Sequence, residues 1–458
     1  MAKNKNQYKC SNCNEIFNKW TGQCPKCKEW NSLEEYISNS NQKTTTGIIV
    51  PVKMKDVKEN KNTRILTGID EFDRVVGGGL IDDSITILSA PPGTGKSTLC
   101  MMIADKILEQ NKTVVYASGE ESASQLKNRA DRLNLNHIED MYVLDNTSMD
   151  DVIQLVLSVD ADLVIVDSIQ TFTLNEYLPS RAGNPTQVTE CAGALQNLAK
   201  RSNKHRMILV IGQMNKEDEL VGTRTLEHLV DTVLILDGNS DDSFRILLST
   251  KNRFGDTGET GFFQMTETGL LSVENPSEFF LTERKNAVVG TSLTVLKEGS
   301  RSIIMEIESL VTPSFTPYPS RISECMNREQ LNVLISILEQ HCKMSFFNKN
   351  VVIKTQNNLK LKTSDSNLAT IMSIVSSYYG KEIPLNTVFL ADVGLTGELK
   401  KIPNIEGRLK ELDRMKYEKV FISDKTNIST SFKHIQLIKM STIKDVLTYF
   451  GFNKNKSS

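Results

Sequence analysis

No apolar stretch in this sequence approaches the roughly 20 residues that a bilayer-spanning helix needs. The opening residues, MAKNKNQYKC, lack the apolar segment of a secretory signal. These absences speak against a helical membrane protein and a secreted one, and the expected location is the cytoplasm. A basic excess is missing too: 54 Lys and Arg stand against 56 Asp and Glu, a formal net charge of −2. Any nucleic-acid contact must therefore come from a local patch rather than from the charge of the whole chain. A disulfide framework is also absent. Of eight cysteines, four crowd into residues 10–27 and the rest (Cys100, Cys191, Cys325, Cys342) are scattered. That distribution suits a reducing compartment and one metal site. What is present, 39% hydrophobic and 24% charged residues over 458 positions, describes a soluble globular protein of two or three domains.

The texture of the chain divides it further. Residues 1–36 form a small Cys-rich head, and residues 37–62, rich in Asn, Lys and Thr, read as a linker. From residue 63 to 284, short β-branched apolar runs alternate with longer helical stretches. The runs are SITILSA (84–90), TVVYAS (113–118), MYVLD (141–145), LVIVDS (163–168), MILVIG (207–212) and TVLILD (232–237). Near-continuous apolar strands separated by helices predict a parallel α/β sheet covered on both faces. Residues 285–458 change character, with long strands at 292–296 and 302–311 leading into helices at 331–342, near 366–379 and near 405–416. This reads as a separate α/β domain.

Four motifs carry chemistry. Cys10-x2-Cys13-x10-Cys24-x2-Cys27 can set four thiolates tetrahedrally around one Zn²⁺. A head of this size cannot bury a stable core, so metal binding would supply its folding energy. The competing readings are two chance pairs or a redox pair. Ala90-Pro91-Pro92-Gly93-Thr94-Gly95-Lys96-Ser97-Thr98 sits between a strand and a helix, the context of a phosphate-binding loop for ATP. Lys96 would reach the β- and γ-phosphates and Ser97 would hold Mg²⁺. Asp167 ends a strand at the distance expected of a second Mg²⁺ partner. In SGEES (118–122), Glu120 is the candidate to orient the attacking water. Glu121 is the alternative, and an acidic pair at a helix start is the bland reading.

Two further positions are weaker signals. Gln213, at a strand tip, could sense the γ-phosphate or be an ordinary loop residue. Lys251 and Arg253 follow the strand FRILLST and could project together toward a phosphate, which in a ring would belong to the neighbouring subunit. The alternative is a solvated basic turn.

Taken together, the four-Cys knuckle, TGIDEFDRVVGGG (67–79), the GTGKST loop, SGEES, LEHLVD (226–231) and above all KNRFG (251–255) resemble the bacterial RadA (Sms) family, over residues 8 to about 450 and in that family's domain order. The resemblance implies a RecA-like ATPase core related to hexameric replicative helicases. It implies rings on single-stranded DNA that drive branch migration of recombination intermediates alongside the RecA recombinase. Lys251 and Arg253 would then act in trans, and Glu120 would serve as the base-like residue. Residues 285–458 are similar to the Lon protease domain. Asp365 falls at the position of the Lon nucleophile and Arg408 near that of its lysine. An arginine cannot serve as a general base at neutral pH, so peptidase activity is not expected. In this family the domain is a platform for ring assembly and DNA. Departures from the family pattern are Ala90 for a glycine, Gln213 within Gly212–Lys216, and Thr223 for a proline. Candidate DNA contacts are Lys216, Arg224 and Arg181. Two other functions fit parts of the sequence: a RecA-like signalling ATPase that binds protein partners, and an ATP-dependent peptidase.

Overall fold

The computed structural model describes residues 7–10, 16–17, 19–30, 33–36, 64–200, 202, 204–213, 224–238, 243–356 and 359–452. The chain divides into two compact units, 1–61 and 62–458. In the first unit the strand Gln7–Cys10 pairs antiparallel with both Ile16–Phe17 and Leu33–Tyr36. This three-stranded scrap is too small to bury an apolar core. Its buried cluster is two cysteines, Cys10 and Cys24, with Phe17 and Cys27 packed on them.

The second unit is built on two sheets. The first has nine strands, in spatial order Gly269–Ser272, Thr260–Thr266, Phe244–Asn252, Thr232–Asp237, Ile85–Ala90, Met207–Gln213, Leu163–Asp167, Val114–Ser118, Tyr142–Leu144. Every residue of Ile85–Ala90, Val114–Ser118 and Leu163–Asp167 is buried, because helices cover both faces of the sheet. Two cores result. One packs the helix Lys96–Leu108 against one face, and the other packs Met149–Ser158 and Pro185–Lys200 against the opposite face. The sheet is not wholly parallel as its alternating pattern suggests. Thr232–Asp237 continues the parallel ladder, and the three strands beyond it run antiparallel as hairpins. No helix intervenes among those three strands, and tight turns at Gly258 and Gly269, both at positive φ, reverse the chain.

The second sheet has seven strands, with Arg301–Pro313 and Thr291–Glu298 at its centre. The helix Asn367–Tyr379 is buried through its first ten residues. Residue 285 lies between the two sheets in sequence, but the packing does not break there. Phe244 and Phe262 of the first sheet, with Val273 just beyond its edge strand, share one apolar cluster with Phe280 and the core of the second. Phe280 meets Phe244 edge-on at 5.2 Å between ring centres, a favoured aromatic geometry. Buried Glu71 adds a polar strut, pairing with Arg301 of the second sheet and with Arg74, which itself reaches Glu259 at 2.8 Å. Among the described residues no helix is long and apolar enough to cross a membrane.

Candidate nucleotide site

The site grows from the strand Ile85–Ala90. Beyond Ala90 the chain turns through Gly93 and Gly95, at φ 79° and 105°, and enters the helix Lys96–Leu108. Only glycine adopts these angles without strain. A Cβ on Gly95 would also displace the terminal methyl of Met265, which packs on the loop. The helix has no side-chain cap at its start, leaving its first amides turned toward the loop. Lys96 donates to the carbonyls of Ala90 at 2.8 Å and Pro91 at 3.2 Å. Burial holds its ammonium below the ordinary value, against the raising effect of Asp167 and Glu120.

Parallel strands two and three places across the same sheet deliver the acids. Ser97 donates to Asp167 at 2.8 Å, and Tyr116, from the adjacent strand, donates to the same carboxylate oxygen at 2.8 Å. Burial raises the Asp167 carboxyl above the ordinary carboxylate range, partly offset by these two hydrogen bonds. A hydroxyl and a carboxylate oxygen converging beside a phosphate loop is the hard-oxygen donor set that Mg²⁺ takes, so the residues fit that ion. Glu120 accepts from Ser168 and, at 2.7 Å, from the Gln213 side chain. Glu121 is instead occupied by Arg129. The structure thus brings Lys96, Ser97, Asp167, Glu120 and Gln213 into one cavity of about 580 Å³, within the range of small-ligand sites.

Four lining residues carry no local motif: Arg129, Arg132, Arg245 and Met265. Arg245 lies 151 positions from Thr94, whose carbonyl its Nε reaches at 3.0 Å. Arg129 and Arg132 had a signal in principle, being one turn apart on a strongly amphipathic helix that follows SGEES.

Lys251 and Arg253 are not in the cavity. Val233 pairs with Lys251 on one side and Ile87 on the other, and Arg253 bonds through its amide to Asp231, whose amide bonds to Ile85. Arg253 is therefore level with the first residue of the loop strand, about 17 Å of strand away from Ala90. There the buried Asp231 carboxylate accepts from Arg253 at 3.1 Å, Lys200 at 2.7 Å and the Ile85 amide at 3.1 Å. Lys251 donates to the carbonyls of Glu227 and Val230, and burial, then the Arg253 charge, lowers its pKa. Arg181 sits on an exposed turn before the helix Pro185–Lys200. Arg224 opens the helix Arg224–Leu229. Lys216, Thr223 and Cys13 lie outside the described residues.

In the first unit, the sulfurs of Cys10, Cys24 and Cys27 lie within 4.8 Å of one another, and Cys10 and Cys27 are 3.6 Å apart. A tetrahedral zinc with bonds of about 2.3 Å separates its sulfurs by about 3.8 Å, so these three fit that ion. The turn that carries two of them is held by Lys28 donating to the Cys24 carbonyl and Cys24 to that of Glu29, both at 2.9 Å. In the second sheet module, Asp365 and Arg408 meet as a buried ion pair at 2.6 Å.

A glycine loop between a buried strand and a helix, with an acid at the end of a parallel strand two places away in the same sheet, defines a phosphate-loop ATPase. An AAA domain model matches residues 51–219, and a rubredoxin metal binding domain model matches residues 8–35. The chain is 35% identical to DNA repair protein RadA of Bacillus subtilis over 459 residues, 98% of this chain and 99% of that one. It is 37% identical to the Rickettsia conorii protein of the same name over 453 residues, covering 96% and 98%. The Listeria monocytogenes protein of that name is 34% identical, with 97% and 98% covered. The chain belongs to the RadA family of DNA repair proteins, with an AAA-type ATPase domain and an N-terminal zinc ribbon.

Proposed function

We propose that this protein is an ATP-driven DNA motor that binds single-stranded DNA and moves branch points in recombination intermediates, working as a hexameric ring beside a RecA recombinase. The observation that carries the reading is the position of Lys251 and Arg253. They stand at the far end of the sheet from their own phosphate loop, beyond the reach of any side chain, so they can meet a triphosphate only if another copy supplies it. An arginine or lysine offered across a subunit boundary stabilises charge in the phosphoryl-transfer transition state and ties hydrolysis to the arrangement of subunits.

Within one subunit, residues 90–98 cradle the phosphates, with Lys96 on the β- and γ-oxygens. Ser97 and Asp167 hold Mg²⁺, which neutralises developing charge when bound. Glu120, braced by Ser168 and Gln213, orients the attacking water, and Gln213 reports the γ-phosphate to the loop that follows it. Lys216, Arg224 and Arg181 contact the DNA backbone. The four-cysteine head, residues 1–36, takes Zn²⁺ and joins through 37–62 to the ATPase domain, 63–284. Residues 285–458 serve as an assembly and DNA platform without peptidase activity. The Asp365–Arg408 pair supports this, since Asp365 offers no nucleophilic hydroxyl and Arg408 cannot serve as the base that a lysine there would be.

ATP hydrolysis measured with and without single-stranded DNA tests the reading. Stimulation by DNA that is lost in both Lys96→Ala and Lys251→Ala, with ADP still bound by Lys251→Ala, is the expected result. Hydrolysis that DNA leaves unchanged would sink the motor and point to a protein partner instead.

A further inference from the structure

A second cavity, of about 420 Å³, lies in the module of residues 285–458 and shares no lining residue with the nucleotide cavity. Two segments build it. Residues 401–404 lead from the strand Leu399–Lys400 into the helix Ile405–Arg414, and residues 425–427 follow the strand Lys419–Ser423. The two segments are pinned to each other. Ser423 Oγ donates to the Leu399 carbonyl at 2.8 Å, and Lys425 pairs with Glu398 at 2.8 Å.

Several polar groups on the wall are left without partners. Asn404 stands at φ 50°, in the left-handed region that asparagine tolerates, and its side chain does not cap the helix. The first amides of that ten-residue helix therefore lack a side-chain acceptor at the positive end of the dipole. A helix start by itself is a weak attractor. Thr426 supplies an independent sign: it lines the cavity at 4% exposure, and its hydroxyl has no hydrogen-bond partner. A buried hydroxyl left unpaired costs free energy that a ligand oxygen can return. Lys401 is exposed on the same wall, and its side chain makes no hydrogen bond or ion pair among the described residues.

Amides, a hydroxyl and an ammonium are the donors that hold a tetrahedral oxyanion. Glu406 narrows the choice of oxyanion. It carries the one carboxylate among the lining residues, and Ser429 donates to one of its oxygens at 3.4 Å. A carboxylate repels a fully ionised anion but accepts a hydrogen bond from one that keeps a proton. A phosphomonoester loses its last proton only near pKa 6, and an adjacent carboxylate favours the protonated form. Sulfate and phosphodiesters have no proton to give. We propose that this cavity binds a protonated phosphate group, that of inorganic phosphate or of a small phosphomonoester. Lys401, Thr426 and the helix amides donate to its oxygens, and Glu406 accepts from its hydroxyl. The diester backbone of a nucleic acid is not its ligand.

Equilibrium dialysis of labelled inorganic phosphate tests the site, on the full chain with a non-hydrolysable ATP analogue in excess to fill the phosphate loop. One phosphate per chain is expected to bind. Displacement by phenyl phosphate extends the site to monoesters, and failure to displace restricts it to inorganic phosphate. Sulfate and dimethyl phosphate should compete at least about tenfold less well than unlabelled phosphate. Lys401→Ala is expected to weaken binding about tenfold. Thr426→Val should weaken it about threefold and leave the thermal midpoint equal or higher, because it removes a buried hydroxyl that has no partner. Glu406→Gln should bring sulfate within about threefold of phosphate. The proposal is overturned by a chain that binds no phosphate, by binding indifferent to Lys401→Ala and Thr426→Val, or by sulfate or dimethyl phosphate competing as well as phosphate.

Discussion

The nucleotide cavity and the Asp365–Arg408 pair are made of similar materials, carboxylates and cations at strand ends and helix starts, yet they are assembled toward opposite ends. In the cavity, Asp167 and Glu120 are held by neutral donors, Ser97, Tyr116, Ser168 and Gln213. Their negative charge is oriented without being cancelled. In the second module, Arg408 closes directly on Asp365 at 2.6 Å with both side chains out of solvent. Charge that is positioned without a direct ion pair can serve a ligand, whereas charge closed into a direct ion pair serves the fold. The two regions thus differ less in residue type than in whether the counter-charge is bonded to the acid or, like Lys96, only near it.

That contrast can be attacked at several points. The largest effect is expected from Glu120→Gln, which removes the charge but keeps the shape. Turnover should fall by about 10²–10⁴ while ADP affinity holds, and Glu121→Gln should leave turnover within about tenfold. Steady-state ATPase assays with ADP titration check this, and equal losses in the two variants would erase the distinction between the neighbouring acids. Next comes Arg408→Ala. Stripping one partner from a buried pair should cost about 3–5 kcal/mol, read as a lower denaturation midpoint, with no change in hydrolysis by the surviving folded fraction. A stable Arg408→Ala chain with altered turnover would mean that the pair is functional after all. Tyr116→Phe deletes one of the two neutral donors to Asp167, and the expected loss is about 1 kcal/mol, seen as a several-fold higher Mg²⁺ requirement. The smallest effect should come from Ser122→Ala. Its hydroxyl caps the helix that carries Arg129 and Arg132 in a reciprocal arrangement with Gln125, and about 1 kcal/mol of stability should be lost.

Much of this was legible in the sequence because the chemistry is local. The phosphate loop, Asp167 and Glu120 each follow an apolar run, and the runs emerge as strands within a residue or two of the expected limits: 84–90 becomes Ile85–Ala90 and 163–168 becomes Leu163–Asp167. The antiparallel edge was not legible, since a hairpin strand buried on both faces reads like a parallel one. Tyr116 was invisible for another reason. It is an aromatic inside an apolar strand, and only the pairing of Tyr116 with Ile165 brings its hydroxyl to Asp167. Arg245 was hidden by distance along the chain. The Asp365–Arg408 contact was implicit in two positions 43 residues apart, each notable only for what it is not. The seam at residue 285 is visible as a change of texture, but the shared aromatic cluster across it depends on Phe244 and Phe262, which sequence periodicity assigns to the first sheet alone.

Asp231 gives the far end of the sheet a property of its own. Two cations and the amide of Ile85 converge on one buried carboxylate, so neither cation is indispensable to its neutrality. Arg253, half in solvent, can swing away to another molecule while Lys200 stays behind as a resident counter-ion. The acid is then never stranded, and the arm is free to be extended or withdrawn without loosening the root of the strand that leads to the phosphate loop.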